Sequence, residues 1–187
     1  TISSNSHFSN PRELREKDVA HVPEDRQRMG LVTEFNASEN IIFGYHHKPP
    51  FSNSSIMMGS NIFNHSNSIM KEYDVRPISP FLKTSNFSGG NQQKIILSRE
   101  LNKDPKVLLV GQPTRGVDIG AIEFIHQRII DMRNKGAAIL LVSVELDEIL
   151  SLSDRIVIMF DGSLVGEKIN ENVTDREVGL LMAGITN

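Results

Sequence analysis

With 187 residues and 39% hydrophobic side chains, the chain is long enough to bury one sizeable core, and its length fits one domain or little more. A formal net charge of −3, a pI near 6.1 and the lack of any basic block argue against electrostatic nucleic-acid binding. Cysteine is absent, which excludes disulfides and thiolate metal sites, and no apolar run approaches the roughly 20 residues a membrane helix needs.

The first eight residues are polar. Asn10-Pro11-Arg12-Glu13 then combines an N-cap, a proline at the first helical position and a Glu at N3, predicting a short helix to about Lys17. Val19-Ala20-His21-Val22 is a short strand, closed by the charged loop Pro23-Glu24-Asp25-Arg26. Residues 38–45 are expected to be helical, capped by Ala37 or Ser38. The stretch 46–60, with two prolines and several Ser and Asn, is expected to be an excursion outside the core. Within it, Phe51 is either an exposed anchor or the residue that closes its own loop. Ile62, Phe63, Ile69, Met70 and Tyr73 recur at helical spacing and predict a helix over 61–73. Pro77 and Pro80 should then hold the chain extended up to Phe87.

Ser88-Gly89-Gly90 followed by the periodic run 92–101 has the pattern of a helix N-terminus: Ser88 caps, and the glycines let backbone approach a ligand. The N–H groups at such an end attract anions. An ordinary capped helix would begin with the same residues. The next strand and its loop tip the balance: Val107-Leu108-Leu109-Val110, apolar on both faces like a central parallel strand, runs straight into Gln112-Pro113-Thr114-Arg115-Gly116-Val117-Asp118. From there the chain alternates: helix 120–135, strand 138–142, helix 145–151, strand 155–160. That is an α/β fold with a mainly parallel sheet. Asp161-Gly162 marks a hairpin into residues 163–168, and Thr174-Asp175-Arg176-Glu177 is a capping box for a last helix ending near Gly184. The six His form no helical pair with a third ligand, so a metal site is not expected.

The ordered set Pro23–Arg26, Ser88–Lys94, Gln112–Asp118 and Ser143–Glu148 resembles the ATP-binding-cassette (ABC) family. More narrowly, it resembles the C-terminal cassette of tandem ATPases that power importers of simple sugars, such as galactosides and ribose, or of nucleosides. The resemblance implies a P-loop NTPase-like α/β core over residues 1–37 and 87–187, with an inserted helical subdomain over 38–86. It implies that Ser88, Gly89, Gly90, Asn91 and Gln92 form the signature that closes on ATP held by a second cassette. Asp118 would reach across to that partner, besides capping the next helix. Glu24 stands where many cassettes carry a Gln in the loop that couples to the permease.

Three departures bear on catalysis. Gly111 and Gln112 stand where the resemblance calls for a magnesium-supporting Asp and a catalytic Glu. Glycine offers no ligand, and an amide has no useful basicity near neutral pH. Val144 stands where a His would contact the γ-phosphate. No Gly-x-x-x-x-Gly-Lys-Ser/Thr phosphate loop occurs in the 187 residues, so the chain is expected to be a fragment of a longer polypeptide and not to hold ATP tightly by itself. The resemblance implies ATP and Mg2+ in the complete transporter. Its partners there would be a second cassette, integral-membrane permease subunits and, indirectly, a substrate-binding protein, at the cytoplasmic face of the cell membrane. The alternative is a non-catalytic module that docks a permease or a partner ATPase.

Overall fold

The computed structural model describes residues 10–171 and 173–185, in two compact units that divide after Leu140. The polar stretch 1–8 lies outside the described residues.

The first unit opens with α1 (Pro11–Glu16), whose cap Asn10 accepts a hydrogen bond from Glu13 N, and β1 (Val19–Val22), both as the residues predict. Asp25 then accepts from Gln27 N and Arg28 N and starts a π-helical turn, Arg26–Gly30. The next helix, α2 (Ala37–Ile42), is capped by Asn36, not by Ala37 or Ser38. Asn36 and Glu39 form a full capping box, which satisfies two orphan backbone donors and so outcompetes a cap one residue later. The excursion after α2 contains a small hairpin, β2 (Ser52–Asn53) and β3 (Ile56–Met57). Phe51 is 2% exposed and stacks edge-on to His65 at 4.8 Å, so it closes its own loop. The helix α3 (Gly59–Glu72) buries Ile69 and Met70, as their spacing requires. Between Pro77 and Phe87 the chain turns more than expected, ending in a 3-10 turn at Thr84–Asn86.

The centre of this unit is α4 (Gly89–Leu101), buried all round from Gln92 to Leu101. It packs on a sheet of order β1–β4–β5, with β4 (Val107–Gly111) in the middle and β5 (Ala138–Val142) beyond it. β1 and β4 run parallel with Ala20 opposite Leu108 and Val22 opposite Val110, and these four side chains are buried. The expected burial of β4 on both faces holds fully on that face only. Val107 and Leu109, which point the other way, are half-buried. The helix α5 (Ile119–Asn134) buries Ala121, Ile125, Ile129 and Met132, one residue per turn, along a single stripe.

The second unit contains α6 (Leu146–Leu152), the antiparallel pair β6 (Arg155–Phe160) and β7 (Ser163–Ile169), and α7 (Asp175–Met182). Its core is Ile156, Ile158 and Val178, with Leu146, Ile149 and Leu181 against them. Thr174 and Glu177 form the predicted capping box.

Candidate functional site

Parallel strands of an open sheet release the chain at their carboxyl ends, where ligands gather. Here β1 passes into Pro23–Arg26 and β4 into Gln112–Asp118, and the two loops are tied together. Arg115 Nη1 donates to Glu24 Oε1 at 2.7 Å, while Arg26 donates from Nη1 to the Arg115 carbonyl at 2.7 Å and from Nη2 to the Gly116 carbonyl at 3.3 Å. A cavity of about 310 Å³ opens beside these contacts, lined by Glu24, Asp25, Arg26, Gln27, Arg115 and Gly116.

The N-terminus of α4 meets the same loops. Ser88 is exposed and caps the helix; its Oγ accepts from Asn91 N at 3.4 Å and from Asn91 Nδ2 at 2.9 Å. Both bonds use oxygen lone pairs, which leaves the hydroxyl proton for another acceptor. The first intrahelical bond runs from Gln92 N to Ser88 O at 2.9 Å. The N–H groups of Gly89 and Gly90 therefore lie ahead of it, at the positive end of the helix dipole.

Close approach at the two glycines is made by the chain's own side chains. A Cβ on Gly89 would lie 2.6 Å from Arg26 Nη2 and 2.8 Å from the Gly116 carbonyl oxygen; one on Gly90 would lie 2.8 Å from Asp118 Oδ2. Asp118 is exposed and caps α5 through Ala121 N at 3.0 Å. Asn91 Oδ1 accepts from Arg76 N at 2.7 Å and so ties the corner to the segment after α3. Beside it Asp74 is held below the usual carboxylate range by hydrogen bonds from Arg76 and then Lys94. Gln92 is 3% exposed and faces inward, donating to the Thr84 carbonyl at 3.1 Å. Of the five residues Ser88–Gln92, Ser88 is exposed, Gly89 and Asn91 are half-buried, and Gly90 and Gln92 are buried.

At the end of β4, a Cβ on Gly111 would lie 3.2 Å from Glu24 N. Gln112 is half-buried and has φ of +46°, in the left-handed region that costs a non-glycine residue about 1 kcal/mol. Neither supplies a carboxylate, and among the described residues no three His, Asp or Glu cluster as metal ligands. The residues at this strand end do not fit a magnesium site. Val144, in the second unit between β5 and α6, is 65% exposed.

The sequence is 47% identical over 174 residues to the nucleoside import ATP-binding protein NupA of Lactococcus lactis, covering 93% of this chain and 34% of that protein. It is 42% identical over 176 residues to the guanosine import ATP-binding protein NupO of Bacillus subtilis, covering 94% and 34%. Its identity to a ribose import ATP-binding protein, RbsA of Caldanaerobacter subterraneus, is 34% over 181 residues, covering 95% and 36%. Over nearly its whole length the chain is similar to import ATP-binding proteins for nucleosides and sugars. It spans about a third of the length of these curated relatives. The ATP-binding cassette MJ0796, in a dimeric post-hydrolysis state bound to ADP and phosphate, superposes with a TM-score of 0.66 at 22% identity over 86% of this chain and 66% of that one. The cassette MJ1267 in its ADP conformation gives 0.65 at 19%, over 92% and 67%. The fold is accordingly that of an ABC ATPase cassette, α/β and P-loop NTPase-like. No protein-family profile matches the chain, and no described helix is long and apolar enough to cross a membrane.

The arginines of this corner carry no assigned role in the sequence. Arg26 and Arg115 belong to legible motifs, but their partners lie 89 to 91 residues away, and only the fold brings them together.

Proposed function

We propose that this chain is the C-terminal cassette of a tandem ABC importer ATPase for nucleosides or simple sugars, and that it lends Ser88–Gly90 to ATP held by the other cassette. The observation that carries this reading is the corner itself: an exposed Ser88 whose two hydrogen bonds leave its proton available, at the N-terminus of a 13-residue helix. Such a tip suits a phosphate. Asp118, exposed next to it, and Ile119, 87% exposed, support a partner protein surface on this side.

The chain's own nucleotide site is degenerate in this reading. Gly111 and Gln112 leave the strand end without a general base, Val144 cannot donate to a phosphate, and the 187 residues contain no phosphate loop. Magnesium would be carried by groups outside this chain, since its strand end does not fit the ion. The α/β core covers 1–37 and 87–187, and the inserted helical segment 38–86 together with the Glu24 loop faces the permease. The assembly would sit at the cytoplasmic face of the membrane, with the substrate-binding protein acting on it through the permease. The nucleoside branch is favoured over the sugar branch by the 47% and 42% identities to NupA and NupO.

A second reading, a docking module without any part in hydrolysis, is favoured by Gly111 and Gln112, which place no carboxylate at the end of β4. Calorimetric titration of the purified chain with ATP and Mg2+ tests the degenerate site: the expected result is a Kd weaker than about 1 mM. Micromolar binding overturns it.

A further inference from the structure

Two loops flank the signature corner, and one side chain joins both of them to it. Arg26 starts the π-helical turn directly after β1, where Asp25 fixes the backbone by accepting from Gln27 N and Arg28 N. Its guanidinium crosses to the loop after β4 and donates to two successive carbonyls, Arg115 O and Gly116 O. Its Nη2 also occupies the space beside Gly89, 2.6 Å from where a Cβ would stand. One planar fork thus touches the loop after β1, the loop that leads to Asp118, and the first residue of α4.

This placement is electrostatically odd for a merely structural arginine. A cation beside the N-terminus of α4 faces the positive end of its dipole, a repulsion that an arriving anion relieves. Arg26 Nε is moreover buried with no hydrogen-bond partner among the described residues, a cost that a simple surface tie would not carry. On the other side of the corner, Asp118 Oδ2 fills the space beside Gly90. Gly89 and Gly90 therefore lie between a cation and a carboxylate.

We propose that Arg26 is the positioning residue through which the loop after β1 sets the approach of Ser88 and Gly89 to the nucleotide phosphate. The inference rests on the signature reading given above and deepens it. The Glu24–Arg115 ion pair runs parallel to Arg26, at 2.7 Å, but both its side chains are more than half exposed, so it makes the weaker link. A displacement of residues 24–30 by a partner then reaches Ser88 chiefly through the guanidinium.

The test uses the complete ATPase polypeptide assembled with its permease, and compares steady-state ATP hydrolysis, with and without transported substrate, across five variants. Arg26→Gln is expected to lower kcat about tenfold with KM for ATP changed less than about twofold, and to abolish stimulation by substrate. Arg26→Lys, which keeps the charge but lacks the planar two-pronged fork, should fall between Arg26→Gln and the wild type. Gly89→Ala displaces the guanidinium and also crowds the Gly116 carbonyl, so its loss should be at least that of Arg26→Gln, and the double variant should be no worse than Gly89→Ala alone. Thermal melting of each purified variant accompanies the kinetics, and the Lys and Ala arms carry the test if Arg26→Gln fails to fold. Ser88→Arg is the fifth arm. Wild-type kcat and stimulation in Arg26→Gln, with Ser88→Arg inactive, overturn the role of Arg26 alone; full activity in Ser88→Arg overturns the signature reading itself. Additive losses in the double variant also overturn the positioning role.

Discussion

Ser88 combines two roles in one side chain. Its cap on α4 uses the lone pairs of the hydroxyl, which serve Asn91, and the proposed contact with a phosphate would use the proton that they leave. Asp118 is the mirror case. Its carboxylate caps α5 and also abuts Gly90. Asp118→Ala should therefore cost about 1 kcal/mol of stability from the lost cap, whereas Asp118→Asn should cost only a few tenths, because Asn caps as well. Urea unfolding of the two variants reads this difference, and equal losses would mean that the charge, not the cap, matters. These local devices are legible in the sequence because a cap and its helix are neighbours. Asn36 is legible too, in the Asn-x-x-Glu spacing, yet Ala37 and Ser38 stand closer to the first apolar residues and draw the expected boundary too late. Arg26 is not legible: nothing near it in the chain indicates carbonyls 89 residues on.

At the scale of elements, α4 is held by charge as well as by apolar packing. Glu100 on this helix is fully buried, and it accepts from Arg15 Nη1 and Nη2, both at 3.0 Å, and from Arg99 Nε at 2.7 Å. Arg15 belongs to α1 and also donates to Tyr45 beyond α2, so one carboxylate joins three segments. Glu100→Gln leaves buried arginine charge unmatched and should destabilise the chain by about 3–5 kcal/mol in urea unfolding. A loss below about 1 kcal/mol, the range of an exposed pair, would mean that solvent reaches the cluster.

Tyr73, at the end of α3, gives a pH signature. Burial, followed by the nearby Glu72, pushes its hydroxyl up to about 12, and Arg128 over its ring opposes the shift only in part. The unfolded chain releases this proton first, near the ordinary tyrosine value of about 10, so between that pH and about 12 it binds fewer protons than the native state and stability falls as pH rises. Urea midpoints across this alkaline window should fall for the wild type and flatten for Tyr73→Phe. An unchanged slope in the variant would place the loss elsewhere. No sequence pattern signals this pair; apolar spacing predicts that Tyr73 faces inward, but not that Arg128 of another helix covers it.

For the whole molecule, the larger strands and helices are readable from alternation and caps, and β1, β5 and β6 begin and end where the residues predict; the β2–β3 hairpin and the turn Arg26–Gly30 are not. Nor is non-local organisation. The β6–β7 pair is legible in its Asp161-Gly162 turn, whereas the division after Leu140 depends on contacts that no run of residues encodes. The lack of a carboxylate at the end of β4 is visible in the sequence because it is an identity, Gly111-Gln112, and not a geometry. What the fold adds is the way Ser88 is presented: a helix tip secured from both flanks, facing out.

Whether this cassette contributes to another's ATP is measured most directly by steady-state hydrolysis in the complete polypeptide carrying Ser88→Arg, beside one carrying Gln112→Glu. Ser88→Arg should abolish turnover, and Gln112→Glu should stay within about twofold of wild type. Turnover that survives Ser88→Arg and rises manyfold in Gln112→Glu would contradict the contribution in trans, because the chain would then be splitting its own nucleotide.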